Sequence, residues 1–221
     1  LNEAGAIGVA ISGLDRRFVD AVIVVDGGST DATVAQARAA GAEVLIEPRR
    51  GYGRACLTGV ERARALGATH LLFLDGDGAD AGDRAGELLG PLLDGSADFV
   101  LATRTRGGRA PGSMHWHQVL AGALIGRVVG LTCGVRYTDM CAFRAISVPA
   151  LERLPMREMT YGWNLEMQMR AARAGLRVRE VSLPYRCRVA GDSKVAGNLR
   201  GTLRASSRIL VTLARLVRQP S

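Results

Sequence analysis

The chain has 221 residues, 48% of them hydrophobic, with four cysteines and a net charge of +8. That length suits one well-cored α/β domain and is short for two. Cysteines without a Cys-x-x-Cys pair speak against a zinc ribbon or disulfide scaffold and for reduced thiols in a cytosolic setting, and there is neither an apolar run of membrane-spanning length nor a recognisable signal peptide.

The opening residues, Leu1-Asn2-Glu3-Ala4-Gly5, are polar and turn-like and lead into a helix that ends near Asp15. A starting strand is missing from this pattern. Residues 22–25 form a β-branched run that ends on Asp26-Gly27-Gly28-Ser29-Thr30-Asp31, and residues 32–40 read as a helix. Strand, Gly-rich turn and helix start make half of a nucleotide-binding βαβ unit, although an ordinary capped turn has the same composition. Residues 43–46 offer the next strand. Arg49, Arg50 and Arg54 then surround Gly51-Tyr52-Gly53 at the start of a helix over 55–66, which suits a diphosphate or a solvated basic loop.

Residues 71–74 are a short apolar strand that stops on Asp75-Gly76-Asp77-Gly78-Ala79-Asp80. In parallel sheets ligands bind beyond the carboxyl ends of strands. Asp75 and Asp77, on alternate residues, can converge on one hard cation that shares its oxygen ligands with a phosphate. A polar turn is the other reading of the same residues.

A helix over 87–93 and a strand over 99–102 deliver Thr103 and Arg104; a basic Gly/Pro loop (106–112) and an apolar helix (119–131) follow. Asp139 then lies within an apolar run that ends at Arg144, as a base, a substrate ligand or the structural partner of Arg144. Residues 161–166 open a helix to 174 with Trp163 packed in the core and Glu166 near its start, and residues 178–183 form the last strand. The repeating β, α order predicts an open, mostly parallel sheet with helices on both faces.

From Arg186 onward eight basic residues face only Asp192, so most of the net charge sits in the tail. The basic loop 185–194 suits phosphate. Residues 199–217 form a helix whose apolar body and arginine flank fit an anionic membrane surface or a packed helix with a solvated face. The tail lacks interleaved aromatics and no nucleic-acid motif accompanies it, so no nucleic-acid partner is expected. Two segments are expected: 1–185 as the α/β domain and 186–221 as a basic loop plus amphipathic helix.

Taken in order, Leu1-Asn2-Glu3, Asp26-Gly27-Gly28-Ser29, Gly51-Tyr52-Gly53, Asp75-Gly76-Asp77, Thr103-Arg104, Asp139 with Phe143-Arg144, Glu166 and the Arg188 to Lys194 loop resemble family 2 glycosyltransferases, and among them the dolichyl- and polyprenyl-phosphate sugar transferases. The resemblance implies a GT-A fold and inversion at the sugar carbon, with transfer of a hexose from a UDP- or GDP-linked donor to a polyprenyl phosphate. It also implies Mg²⁺ or Mn²⁺ on Asp75 and Asp77. Asn2, Glu3, Asp26, Gly28, Gly53, Asp75, Arg104 and Glu166 would line the donor, and Arg188, Ser193 and Lys194 would gather the acceptor phosphate. The implied catalytic residues are Asp77, Asp139, Arg188 and Lys194, with Asp139 as the base if the acceptor were a hydroxyl. The expected location is cytoplasmic, peripheral at the inner face of the membrane. The chain departs from the family pattern in that Gly27 replaces a second acid after Asp26, and Asp80 stands near the place of a further metal ligand. A nucleotide-sugar- or membrane-binding protein without turnover is the reading from another class.

Overall fold

A computed structural model describes residues 1–106, 108–114, 116–191 and 199–218. The chain runs α1 (Ala4–Ser12), β1 (Ile23–Asp26), α2 (Thr33–Ala39), β2 (Glu43–Ile46), α3 (Tyr52–Ala65), β3 (His70–Phe73), α4 (Ala85–Leu93), β4 (Phe99–Thr103), α5 (Trp116–Cys133), β5 (Arg144–Ser147), α6 (Val148–Glu152), α7 (Trp163–Arg173), β6 (Val178–Ser182) and α8 (Leu199–Arg218). A single 3₁₀ turn, Gly82–Arg84, precedes α4. The four cysteines are free thiols.

The strands form two sheets, β1-β2 in parallel and β3-β5-β4-β6. In the larger sheet β3, β4 and β6 share one direction, as expected, and β5 runs against them between β3 and β4. The apolar run that starts at Val135 does not itself form the strand. It crosses the sheet's end as a loop, and the strand begins at Arg144, so β5 must enter from the opposite side.

β4 is buried along its whole length and serves both faces of the sheet. Its alternate residues separate by period two: Phe99 and Leu101 join a core with Trp163, Leu165, Met167 and Met169 of α7, while Val100 and Ala102 join Leu88, Leu89 and Leu92 of α4. A smaller core under α1 and α2 holds Ile7, Ile11 and Ala37 against β1 and β2. Trp163, 1% exposed, is a core residue as expected. α8 lays Ala205, Thr212 and Leu216 inward and packs on α7, where Arg173 donates to the Leu216 carbonyl at 2.7 Å.

Gly51 and Gly53 exist for close approach of one backbone to another. Residues 158–160 cross the start of α3, with Arg54 N–H donating to Met159 O at 3.1 Å and Gly53 N–H to Thr160 O at 3.3 Å. A Cβ at Gly53 would run into the Glu158 carbonyl and lie 2.9 Å from the Met159 carbonyl carbon. Gly53 therefore holds this crossing and not the donor. Replacing it with Ala should cost about 3 kcal/mol in urea unfolding. Gly8→Ala, in the middle of α1 with open space around it, should instead stabilise by about 0.5–1 kcal/mol in the same titration.

Candidate active site

Because β5 opposes its neighbours, the carboxyl ends of β3, β4 and β6 share an edge with the amino end of β5. Past β3 the chain delivers Asp75, Asp77 and Asp80, past β4 Arg104, ahead of β5 Asp139, and past β6 Tyr185 and Arg188.

Arg188 joins this edge to the rest of the molecule. Its Nη1 donates to Asp77 Oδ2 at 2.7 Å, and its Nη2 donates to both oxygens of Glu3 at 2.8 Å. Glu3 and Asn2 are in turn bound to the turn after β1. The Asn2 N–H donates to Ser29 Oγ at 2.8 Å, the Thr30 N–H to Asn2 Oδ1 at 2.9 Å, and the Glu3 N–H to Thr33 Oγ1 at 2.7 Å. Asp26 organises the turn by accepting the N–H groups of Gly28 and Ser29 at 2.8 and 2.7 Å, with Gly28 at φ +91°. Burial pushes the Asp26 carboxyl up, but the Ser29 hydroxyl and these N–H groups outweigh it and hold the carboxyl below its ordinary range. The sequence-predicted Asn2, Glu3, Asp26 and Gly28 thus form one hydrogen-bonded wall.

The acids after β3 are crowded. Asp77 accepts the Ala79 N–H at 3.0 Å, and Asp80 accepts the Asp75 N–H at 3.1 Å. Burial first, and then the charge of Asp77, raises the Asp75 carboxyl against the opposing pull of Arg104, Arg188 and Arg144. Burial and the charge of Asp75 push Asp80 up to about 7. No group of three or more His, Cys, Asp or Glu among the described residues makes a complete metal cage. A short supply of protein carboxylates in a crowded negative site fits Mg²⁺ or Mn²⁺, which takes one or two carboxylates and completes its shell from phosphate and water.

Asp139 is held in a different way from that expected. Its oxygens accept Arg104 Nε and Nη2 at 2.7 Å each, the Arg104 N–H at 3.1 Å and the Met140 N–H at 2.7 Å. With these four donors on its two oxygens, Asp139 is the anchor of Arg104. Arg144 is not its partner. That guanidinium, fully buried, donates to the carbonyls of Cys141 and Asn164 and lies 5.9 Å from the Phe99 ring. Arg104 also stands 5.1 Å from the ring of Tyr185, a residue absent from the sequence-based set although it lies just past the end of β6.

Glu166, expected at the donor, is turned into the protein interior. It is fully buried and accepts the N–H groups of Arg157 and Glu158 at 2.8 and 2.6 Å and the side chain of Arg170 at 2.9 Å, so it fixes the segment that crosses α3. Arg49 is committed to Glu47 through contacts of 2.8 Å. Ser193 and Lys194 lie outside the described residues.

An α/β sheet with acids and arginines gathered at its strand ends is the framework of a GT-A protein. The structure matches glucosyl-3-phosphoglycerate synthase from Mycobacterium tuberculosis, solved with Mn²⁺, UDP-glucose and phosphoglyceric acid, at a TM-score of 0.75 and 22% identity, covering all of this chain and 78% of that one. The chain belongs to glycosyl transferase family 2, whose sequence model matches residues 1–151. It is 36% identical over 211 residues to an uncharacterized glycosyltransferase of M. tuberculosis strain H37Rv, covering 92% of this chain and 89% of the relative. It is also 29% identical to the undecaprenyl-phosphate mannosyltransferase of Micrococcus luteus, covering 81% and 77%.

The raised carboxyl of Asp80 has a signed consequence. Its folded value lies above an unfolded value of about 4, so its contribution to stability is fully present below pH ~4 and is lost as pH rises to about 7. Asp80→Asn removes that loss. Urea titrations in chelator should show the variant gaining up to ~4 kcal/mol on the parent between pH 4 and pH 8.

Proposed function

We propose that the protein is a metal-dependent, inverting hexosyltransferase that moves a sugar from a UDP- or GDP-linked donor to a polyprenyl phosphate at an anionic membrane surface. The observation that carries this reading is the division of charge at the site: a guanidinium, Arg188, lies on Asp77, while Asp139, the base expected for a hydroxyl acceptor, is locked to Arg104. A phosphate nucleophile is already ionised and needs electrostatic guidance more than proton removal. The relative named as an undecaprenyl-phosphate mannosyltransferase supports the same acceptor class.

In this reading Asn2, Glu3 and the turn built on Asp26 and Gly28 hold the nucleoside. Asp75 and Asp77 hold Mg²⁺ or Mn²⁺, which supplies charge neutralisation on the diphosphate. Arg104, fixed by Asp139, faces the donor. Arg188, with Ser193 and Lys194, draws the acceptor phosphate to the sugar carbon on the side opposite the leaving group. The acceptor oxygen forms its bond to that carbon as the bond to the nucleoside diphosphate breaks.

Two helices support docking on lipid. No described helix is long and apolar enough to cross a membrane. Yet α5 turns Trp116, Leu120, Leu124 and Leu131 to solvent at 76, 59, 58 and 88% exposure, a spacing that places them along one side together with Arg127, and the helix carries no acid. α8 likewise exposes Leu203, Leu210 and Val217 beside Arg204 and Arg208. Exposed apolar faces with cationic flanks suit an anionic bilayer surface. Beside α5 a cavity of about 240 Å³ is lined by Val119, Ala123, Arg127, Arg136 and Thr138, a mixture that suits an acceptor with an anionic head and an apolar body.

The test is a donor screen with UDP- and GDP-sugars, Mn²⁺ or Mg²⁺ and a short polyprenyl phosphate, following nucleoside diphosphate release and lipid-linked product. Product should require the lipid phosphate and fall at least ~100-fold in Asp77→Ala, as loss of an electrostatic contact to the transition state would cause. Turnover with a hydroxyl acceptor and none with lipid phosphate would overturn the reading.

A further inference from the structure

We infer that Arg188 is a built-in placeholder for the divalent cation, occupying Asp77 until the metal arrives and then being released onto phosphate, so that the donor side is loaded before the acceptor phosphate is gripped. This rests on the metal reading of Asp75 and Asp77 proposed above.

Three observations carry it. The Arg188 guanidinium spans Asp77 and Glu3 with three contacts of 2.7–2.8 Å, and so claims both a proposed metal ligand and a proposed donor contact. Among the described residues it is the one cation that forms an ion pair with any of Asp75, Asp77 and Asp80. Arg104 and Arg144 act on Asp75 only through their charge. A cation bound to Asp77 and a guanidinium bound to the same carboxylate repel each other, so binding of one opposes binding of the other.

The second observation is that the guanidinium can leave without unseating its backbone. The strap around it is fastened by Arg186 N–H to Ala79 O at 2.9 Å and Val189 N–H to Asp77 O at 3.0 Å. It is packed so closely that a Cβ on Gly5 would lie 2.8 Å from Cβ of Ala190, and one on Gly78 2.6 Å from Cγ2 of Val189. The strap therefore stays beside the acids while the long Arg side chain reorients.

The third is that the forked position is incompletely satisfied. Among the described residues, Arg188 Nε is buried without an acceptor. A buried unpaired donor costs free energy, and a phosphate oxygen can take up that N–H once the side chain turns. Displacement by the cation thus exposes a fork suited to phosphate beside the place where the diphosphate would sit. Ordered binding follows from this coupling, because the acceptor's phosphate-binding group is engaged elsewhere until the donor side is loaded.

The test is Mn²⁺ binding followed by electron paramagnetic resonance, without donor or acceptor, on the parent protein, Arg188→Gln, Arg188→Lys and Asp77→Asn. Arg188→Gln should bind Mn²⁺ about tenfold more tightly than the parent, since one positive charge leaves contact distance of the site. Arg188→Lys should fall between the two, and Asp77→Asn should bind weakly. Equal or weaker Mn²⁺ binding by Arg188→Gln, with Asp77→Asn still defective, would overturn the placeholder and leave the metal reading standing. Binding indifferent to Asp77→Asn would overturn both. A second measurement uses the parent protein: Mg²⁺ alone should shift and speed the exchange of the Arg188 guanidinium signals in ¹⁵N-arginine NMR spectra, assigned with Arg188→Lys. Signals unmoved at saturating Mg²⁺ would also overturn the placeholder.

Discussion

Carboxylates brought to the end of a buried strand have to be neutralised, and much of this structure is arranged around that requirement. β3 carries Asp75, Asp77 and Asp80 to one edge of the sheet, where burial and mutual repulsion raise Asp75 and Asp80. A fold that kept these acids without counter-charge would be costly. Arg188 answers the charge of Asp77 by a direct ion pair, and in doing so ties the last strand's loop to the first residues of the chain. The same contact joins the small core under α1 and α2 to the larger one behind β4.

The other buried charges of the molecule divide differently. Asp139 and Arg104 satisfy each other with bidentate geometry, which aims the guanidinium. Glu166 collects Arg170, two backbone N–H groups and, at 3.5 Å, Arg215 of α8, so its charge is spent on holding α7, α8 and the segment crossing α3 together. Arg144 donates to two carbonyls and lies near an aromatic ring, with no carboxylate among its hydrogen-bond partners in the described residues. Its charge still reaches Asp75. The site is therefore an excess of acid on one loop, compensated by the ion pair from Arg188 and by the charges of Arg104 and Arg144.

The surface continues the same logic outward. α5 and α8 each keep one apolar side against the domain and present another to solvent with arginines beside it. Neither helix has an acid to offset those arginines. Both features leave an apolar, cationic surface on these two helices.

Local pattern was enough to find nearly every element, because period-two and period-3.6 spacing, Gly-rich turns and β-branched runs act over a few residues. β2 falls on the expected residues and the acid loop follows β3 as its sequence implies. The antiparallel β5 was not legible, since Arg-Ala-Ile-Ser is too short to alternate and its direction depends on how the preceding loop crosses the sheet. The site divided along the same line. Asp75, Asp77 and the Asp26 turn could be read because each follows a strand in sequence. The partner of Asp139, the scaffold role of Glu166 and the backbone crossing at Gly53 could not, because each is set by residues that lie far from it along the chain. The sequence by itself determined which charges exist and which strand ends would carry them. Only the tertiary structure decided which charges meet, because pairing depends on distances of a few ångströms that long-range packing alone sets.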